Sequence, residues 1–212
     1  METNDELVDF LVERDSIETE KVEQAFRRVD RGDFTPDRDQ SHREGEVFLD
    51  VQRNPYTDEV YPLKVDSTIS QPSVVAEMVE LLDLQEGDHV LEIGSGSGYQ
   101  SAIIAGIVEK VVGVEIDRDV AEHSRNNLRE HDNIEIVHGE GFKKVKSSFD
   151  KIIFSCAVDE DKIEEARDYL NENGRIVAPI GQNHVQQITV FDENSDEKNL
   201  HSRVRFVHYK ES

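Results

Sequence analysis

Val90-Leu91-Glu92-Ile93-Gly94-Ser95-Gly96-Ser97-Gly98-Tyr99 is the stretch whose reading decides how the chain folds. Val90, Leu91 and Ile93 form a short apolar run of the kind that makes a buried strand, and glycines follow at 94, 96 and 98. From Ala102 onward, Ile103, Ile104, Ile107 and Val108 recur at helical spacing. A strand, a glycine turn and a helix in that order leave unpaired backbone N–H groups at the start of the helix. Glycine permits positive φ and lets a ligand approach the backbone closely. The pattern therefore predicts a ligand site at the carboxyl end of this strand.

Working outward, the C-terminal side alternates strands with helices. Lys110 to Val114 reads as a second buried strand ending at Glu115, followed by a helix from about Arg118 to Glu130. Ile134 to Val137 is a third strand ending in His138-Gly139-Glu140-Gly141, and Asp150 to Phe154 is a fourth. A helix over about 159–170 and a stop at Asn173-Gly174 lead into a strand over Arg175 to Ala178. Val185 to Phe191 and Val204 to Tyr209 flank a polar loop and read as an antiparallel pair. On the N-terminal side, Pro72 opens a helix with Val74, Val75, Met78, Leu81 and Leu82 on one face. Residues 5–29 read as two amphipathic helices, and residues 30–66 as a long loop that walls a substrate site. Alternating strands and helices predict an α/β fold with a parallel sheet covered on both faces. Right-handed crossovers place each glycine turn at the carboxyl edge of that sheet.

With 212 residues the chain can bury a substantial core. Its formal net charge of -23 argues against nucleic-acid binding, which needs clustered Lys and Arg. Acids spread this widely suit a protein solvated in concentrated salt. Cys156 is the only cysteine, so there is neither an intrachain disulfide nor a cysteine-based zinc site, and the histidines show no metal-ligand spacing. No apolar run is long enough for a membrane span, and the start of the chain lacks a signal-peptide pattern. The expectations are a cytoplasmic monomer with no metal, nucleic acid or membrane partner.

A phosphate-binding loop needs Gly-Lys followed by Ser or Thr, and no Lys lies between Gly94 and Lys110. A dinucleotide site needs G-x-G-x-x-G or its alanine-ended form, but the sixth position from Gly94 is Tyr99 and from Gly96 is Ser101. What stands here is Glu92-x-Gly94-x-Gly96-x-Gly98 with Glu115 at the end of the next strand. This resembles the S-adenosyl-L-methionine site of the seven-stranded, Rossmann-like methyltransferases. The resemblance implies a seven-stranded, mostly parallel sheet with helices on both faces and a closing antiparallel hairpin. It assigns the cofactor to Glu92, Gly94, Ser95, Gly96, Ser97, Gly98, Glu115, Ile116, Glu140 and Gly141. Glu115 would accept hydrogen bonds from the ribose hydroxyls, and Glu140 would lie near the adenine.

Thr68-Ile69-Ser70-Gln71-Pro72, then a helix, then the glycine stretch, is similar to one family, the protein-L-isoaspartate O-methyltransferases. Val22-Glu23-Gln24-Ala25-Phe26-Arg27-Arg28-Val29 with Phe34-Thr35-Pro36, the run Phe149 to Ile153, Gly174 to Gly181, and Val204-Arg205-Phe206-Val207 extend the likeness over most of the chain. These enzymes methylate the free carboxylate of isoaspartyl residues in damaged proteins. The resemblance implies that Ser70 orients the acceptor carboxylate, with Thr68, Ile69, Gln71, Cys156 and Ala157 beside the substrate. The hydroxyl of Ser70 also suits a helix cap. Residues 1–66 would be an N-terminal extension on the substrate side that does not fold alone, and 67–212 the cofactor-binding domain. Lys64-Val65-Asp66-Ser67, Ser73 and Ser155-Cys156-Ala157 depart from the family pattern, all on the substrate side. A different protein carboxylate or a small molecule as acceptor, or cofactor binding without catalysis, are the alternative readings.

Overall fold

The computed structural model describes residues 1–36, 53–64, 67–181, 185–193 and 199–210. Two short helices come first, α1 (Asn4–Glu13) and α2 (Glu20–Arg28), with a 3-10 turn at Arg31–Phe34. Thr3 begins α1 by accepting the Glu6 N–H on its hydroxyl, and Asp5 and Glu6 favour its positive end. Strands β1 (Tyr61–Lys64) and β2 (Ser67–Ile69) pair antiparallel, with Tyr61 opposite Ile69, and lead into α3 (Pro72–Leu81). The rest is β3 (His89–Ile93), α4 (Tyr99–Ala105), β4 (Lys110–Glu115), α5 (Arg118–Asn127), β5 (Ile134–His138), β6 (Phe149–Phe154), α6 (Glu160–Arg167), β7 (Leu170–Ile180), β8 (Gln186–Asp192) and β9 (Asn199–Val204).

These last strands form the seven-stranded sheet expected, in the order β5-β4-β3-β6-β7-β8-β9. The pairs from β5 across to β7 are parallel, and β7–β8 and β8–β9 are antiparallel. The chain moves one way from β3 to β4 and returns to the other side at β6, so the crevice beyond the carboxyl end of β3 is the topological switch point. Alternation along each central strand feeds two cores. Val90, Ile153 and Val177 face one that also takes the apolar faces of α1 to α4, whereas Leu91, Ile152 and Ile176 face the other, with Phe142, Phe149 and Ile163. Leu7, Leu11 and Phe26 are fully buried in the first core beside Val75, Met78 and Tyr99. The boundary expected at 66–67 falls in the connection of the β1–β2 pair, and one core spans it.

The structure corrects three details. The segment expected as an unbroken loop holds the 3-10 turn and β1; Pro62 in the run Tyr61 to Lys64 disguises a short two-stranded ribbon that tolerates proline. Its residues 37–52, 65 and 66 lie outside those described. The closing strand is Asn199–Val204 rather than Val204 to Tyr209. It is an edge strand, mostly exposed, so the apolar alternation that marks interior strands is absent. Phe206, Val207 and Tyr209, the apolar residues of the expected strand, leave the sheet: the Ala157 N–H donates to the Val207 carbonyl and the Tyr209 N–H to the Ala157 carbonyl, both at 2.8 Å. Finally α6 stops at Arg167, and Asn173, at φ 61°, sits inside β7 at an irregular stretch opposite β6.

Gly98 precedes α4 at φ 89°, and a Cβ built there would stand 2.6 Å from Leu128 Cδ1 and 2.7 Å from Ser124 Oγ. Positive φ and close packing of α5 both demand glycine. Gly98→Ala is expected to lower unfolding free energy by about 3 kcal/mol, read as a reduced urea midpoint with unchanged m value.

Candidate functional site: a cavity at the carboxyl edge of the sheet

The turn after β3 carries the local chemistry. Gly94 and Gly96 have φ of 85° and 53°, which L side chains rarely adopt, and a Cβ on either would find nothing closer than 3.6 Å. The conformation, rather than crowding by protein, requires glycine at both, and the turn is open toward the cavity. The Glu115 carboxylate at the tip of β4 fixes it, accepting the Gly96 N–H on Oε2 at 3.0 Å and the Asp117 N–H on Oε1 at 2.9 Å. Burial raises the Glu115 carboxyl above its ordinary value, and these backbone donors from Asp117 and Gly96 oppose the rise. A carboxylate has about four lone-pair sites, so both oxygens can accept further hydroxyl donors.

Glu92 braces the turn from below. It is buried, its Oε1 accepts Gln100 Nε2 at 3.1 Å and Ser155 Oγ at 2.7 Å, and its Oε2 accepts a short hydrogen bond from Ser101 Oγ. Burial pushes this carboxyl up to about 7, against the lowering influence of the Ser101 and Ser155 hydroxyls.

The turn opens into a cavity of about 770 Å³. Of the cofactor residues expected from sequence, Gly94, Gly96, Glu115, Ile116 and Gly141 line it; Glu92, Ser95, Ser97, Gly98 and Glu140 do not. Ser97 Oγ accepts the Tyr99 N–H at 3.3 Å, Ser95 is packed toward Gly113, and Glu140 pairs with Lys143 at 2.7 Å. Gly141 and Gly139 border the cavity beside Tyr209, whose hydroxyl fills the space a side chain at 141 would need.

The acceptor-side residues expected from sequence divide similarly. Thr68, Ser70, Gln71 and Cys156 line the cavity, whereas Ile69 and Ala157 are buried in the core and in the contact with Val207. The Thr68 carbonyl is 3.7 Å from the Cβ position of Gly96, so the Thr-Ile-Ser segment lies directly against the glycine turn. Burial raises the Cys156 thiol well above its ordinary value, which keeps it protonated. The N-cap of α3 is Gln71, not Ser70, and Ser70 Oγ makes no hydrogen bond among the described residues.

Two residues hold this segment that sequence reasoning did not single out. Arg31 is fully buried and donates to four carbonyls: from Nη1 to Pro55 at 2.5 Å and Thr57 at 3.1 Å, and from Nη2 to Glu59 at 2.9 Å and Ser70 at 3.1 Å. Asp58, on the segment so held, accepts the Ser73 N–H at 2.8 Å and Gln71 Nε2 at 3.0 Å. No local spacing marks either residue, because their partners are mostly main-chain groups and lie 13 to 39 residues away. A third strap, Lys64 Nζ to Asp117 Oδ2 at 2.7 Å, ties β1 to the cap of α5. Among the described residues no group of His, Cys, Asp and Glu could hold a metal, and no helix is long and apolar enough to cross a membrane.

Two outcomes follow from this geometry. Because the folded pKa of Glu92 lies above its unfolded value, the folded state binds the extra proton between about pH 4.5 and 7, and stability falls as pH rises through that window. The difference in unfolding free energy between wild type and Glu92→Gln should therefore shrink by about 3 kcal/mol across it, as measured by denaturation at stepped pH; a flat difference would show Glu92 ionised throughout. Arg31→Met strips donors from four carbonyls and should cost about 3 kcal/mol. Limited proteolysis should then cut first within residues 53–60.

The whole chain, residues 2–211, matches the family model of protein-L-isoaspartate(D-aspartate) O-methyltransferase. A protein-L-isoaspartate O-methyltransferase of Methanoculleus marisnigri is 35% identical over 87% of this chain and 80% of its own, and that of Vibrio campbellii 32% identical over 97% and 93%. A Plasmodium falciparum protein assigned to the same family, solved with S-adenosyl-L-homocysteine, has the same fold at a TM-score of 0.80 and 22% identity, covering 99% of each chain. The cavity beside Glu115, with its open glycine turn and carboxylate oxygens able to accept hydroxyls, fits an adenosyl ligand. The chain belongs to the protein-L-isoaspartate O-methyltransferase family.

Proposed function

We infer that this protein is an S-adenosylmethionine-dependent methyltransferase that methylates the free carboxylate of L-isoaspartyl residues in proteins, with Ser70 as the residue that orients the acceptor. The bound cofactor supplies a methyl group activated by its sulfonium. Gly94, Gly96, Glu115, Ile116, Gly139 and Gly141, which line the cavity, would hold it.

A carboxylate is already anionic, so no base is required and the chain's work is positioning and exclusion of water. The observation that carries this reading is the unclaimed hydroxyl of Ser70 in the same cavity as the glycine turn. Donating to one carboxylate oxygen, that hydroxyl leaves the other oxygen free to face the methyl group. The cavity mouth supports a polypeptide acceptor over a small molecule. Val60, Val185 and Val207 line it while 41%, 46% and 40% exposed, and they are three of the four large apolar residues exposed among those described. An exposed apolar rim of this kind suits contact with a chain.

Incubation with a synthetic isoaspartyl peptide and cofactor labelled in the methyl group should transfer label, and the matched aspartyl peptide should take none. Ser70→Ala should lower kcat/KM by about 10²-fold, the scale of one well-placed donor, with affinity for S-adenosylhomocysteine unchanged. Equal rates in the variant and the wild type would remove Ser70 from the role.

A further inference from the structure

The cavity reverses the charge balance of the chain. The protein carries 24 Lys and Arg against 47 Asp and Glu, yet the cavity is lined by four cations, Lys64, Arg203, Arg205 and Lys210, and by two acids, Glu115 and Asp117. Both acids are engaged, Glu115 with the backbone N–H groups of Gly96 and Asp117, and Asp117 with Lys64. Arg203 and Arg205 are different: both are exposed, and neither side chain has an ion-pair or hydrogen-bond partner among the described residues.

Their placement is built by the edge of the sheet. Arg203 pairs with Gln187 and Val204 with Gln186 in the β8–β9 ladder, and Val204 is buried in the core. Arg203 lies on β9 and Arg205 just beyond its end, and both line the same cavity. Gln186 Oε1 accepts the Phe206 N–H at 2.9 Å and holds the chain on course just past the strand. The result is two unpaired guanidiniums beside Val185 and Val207 at the mouth where a polypeptide would enter.

We propose that Arg203 and Arg205 select acceptors whose isoaspartyl site is flanked by further carboxylates, so that the enzyme prefers acidic polypeptide segments. This rests on the isoaspartyl reading above and names its substrate class. A surface of this net charge repels acidic chains at range, so a local basic rim is what admits them. Arginine suits the task because its planar fork meets a carboxylate in two parallel hydrogen bonds.

The test uses two fluorescein-labelled isoaspartyl peptides that differ only in the residues flanking the site, glutamates in one and glutamines in the other. Their affinity for the protein saturated with S-adenosylhomocysteine is read by anisotropy, and their methylation by label transfer. The acidic peptide should bind about fivefold more tightly, the scale of two exposed ion pairs, and the preference should shrink as KCl is raised. Arg203→Gln/Arg205→Gln should abolish the preference, Arg203→Lys/Arg205→Lys should restore part of it, and neither pair should change affinity for S-adenosylhomocysteine. Equal binding of the two peptides by wild type, or a preference that survives in the glutamine double variant, overturns the proposal even where both peptides are methylated. Selective, arginine-dependent binding without methyl transfer supports the rim and overturns the isoaspartyl reading.

Discussion

Two buried carboxylates brace one glycine turn, and the cofactor half of the molecule depends on that arrangement. Glu115 grips the turn at Gly96 from the neighbouring strand, and Glu92 braces it from beneath through Gln100, Ser101 and Ser155. Their roles differ by environment. Glu115 reaches the cavity and keeps lone pairs for a ligand, whereas Glu92 is enclosed by side-chain donors and acts on α4 and the tip of β6. Burial raises the cost of ionising both acids, and the nearby Glu115 charge adds to it for Glu92, the more deeply buried of the two. The site accepts that cost because positive φ at Gly94 and Gly96 leaves the turn little intrinsic preference for one conformation.

The acceptor half has another anchor. A guanidinium in the interior is costly unless its donors are met, and Arg31 offsets that cost with four carbonyls on Nη1 and Nη2, while its buried Nε has no partner among the described residues. In doing so it converts residues 55–59, which have no ladder of their own, into a wall of defined shape. The two halves then meet through short-range contacts: the Thr68 carbonyl against Gly96, and Lys64 against Asp117.

The cofactor half was legible in the sequence, because its logic is local. Val90 to Gly98 is one continuous run, and Glu115 follows at a distance set by one helix and one strand. The acceptor half was legible only as a motif. Ser70 could be named by likeness, but nothing near it in sequence showed whether its hydroxyl would be spent on the helix. Arg31 and Asp58 escaped because an arginine bound to distant carbonyls and an aspartate bound to one distant backbone N–H and one side-chain amide leave no spacing signature. The last strand was misplaced for a related reason. Apolar character does not report pairing, and the apolar residues after Val204 line the cavity beside Ala157 rather than joining the ladder.

The freedom of the Ser70 hydroxyl, proposed above to orient the acceptor, has a structural cause. The N-terminus of α3 begins with Pro72, which removes one donor, but the Ser73 N–H still needs an acceptor. A serine just before a helix would ordinarily satisfy that need with its own oxygen. Asp58 reaches across from the wall and takes the Ser73 N–H instead, while its other oxygen holds the Gln71 side chain. Ser70 is left with its carbonyl tied to Arg31 and its hydroxyl unclaimed in the cavity. The wall therefore does more than border the acceptor site. By capping α3 from outside, it leaves the Ser70 hydroxyl free for the acceptor role proposed above.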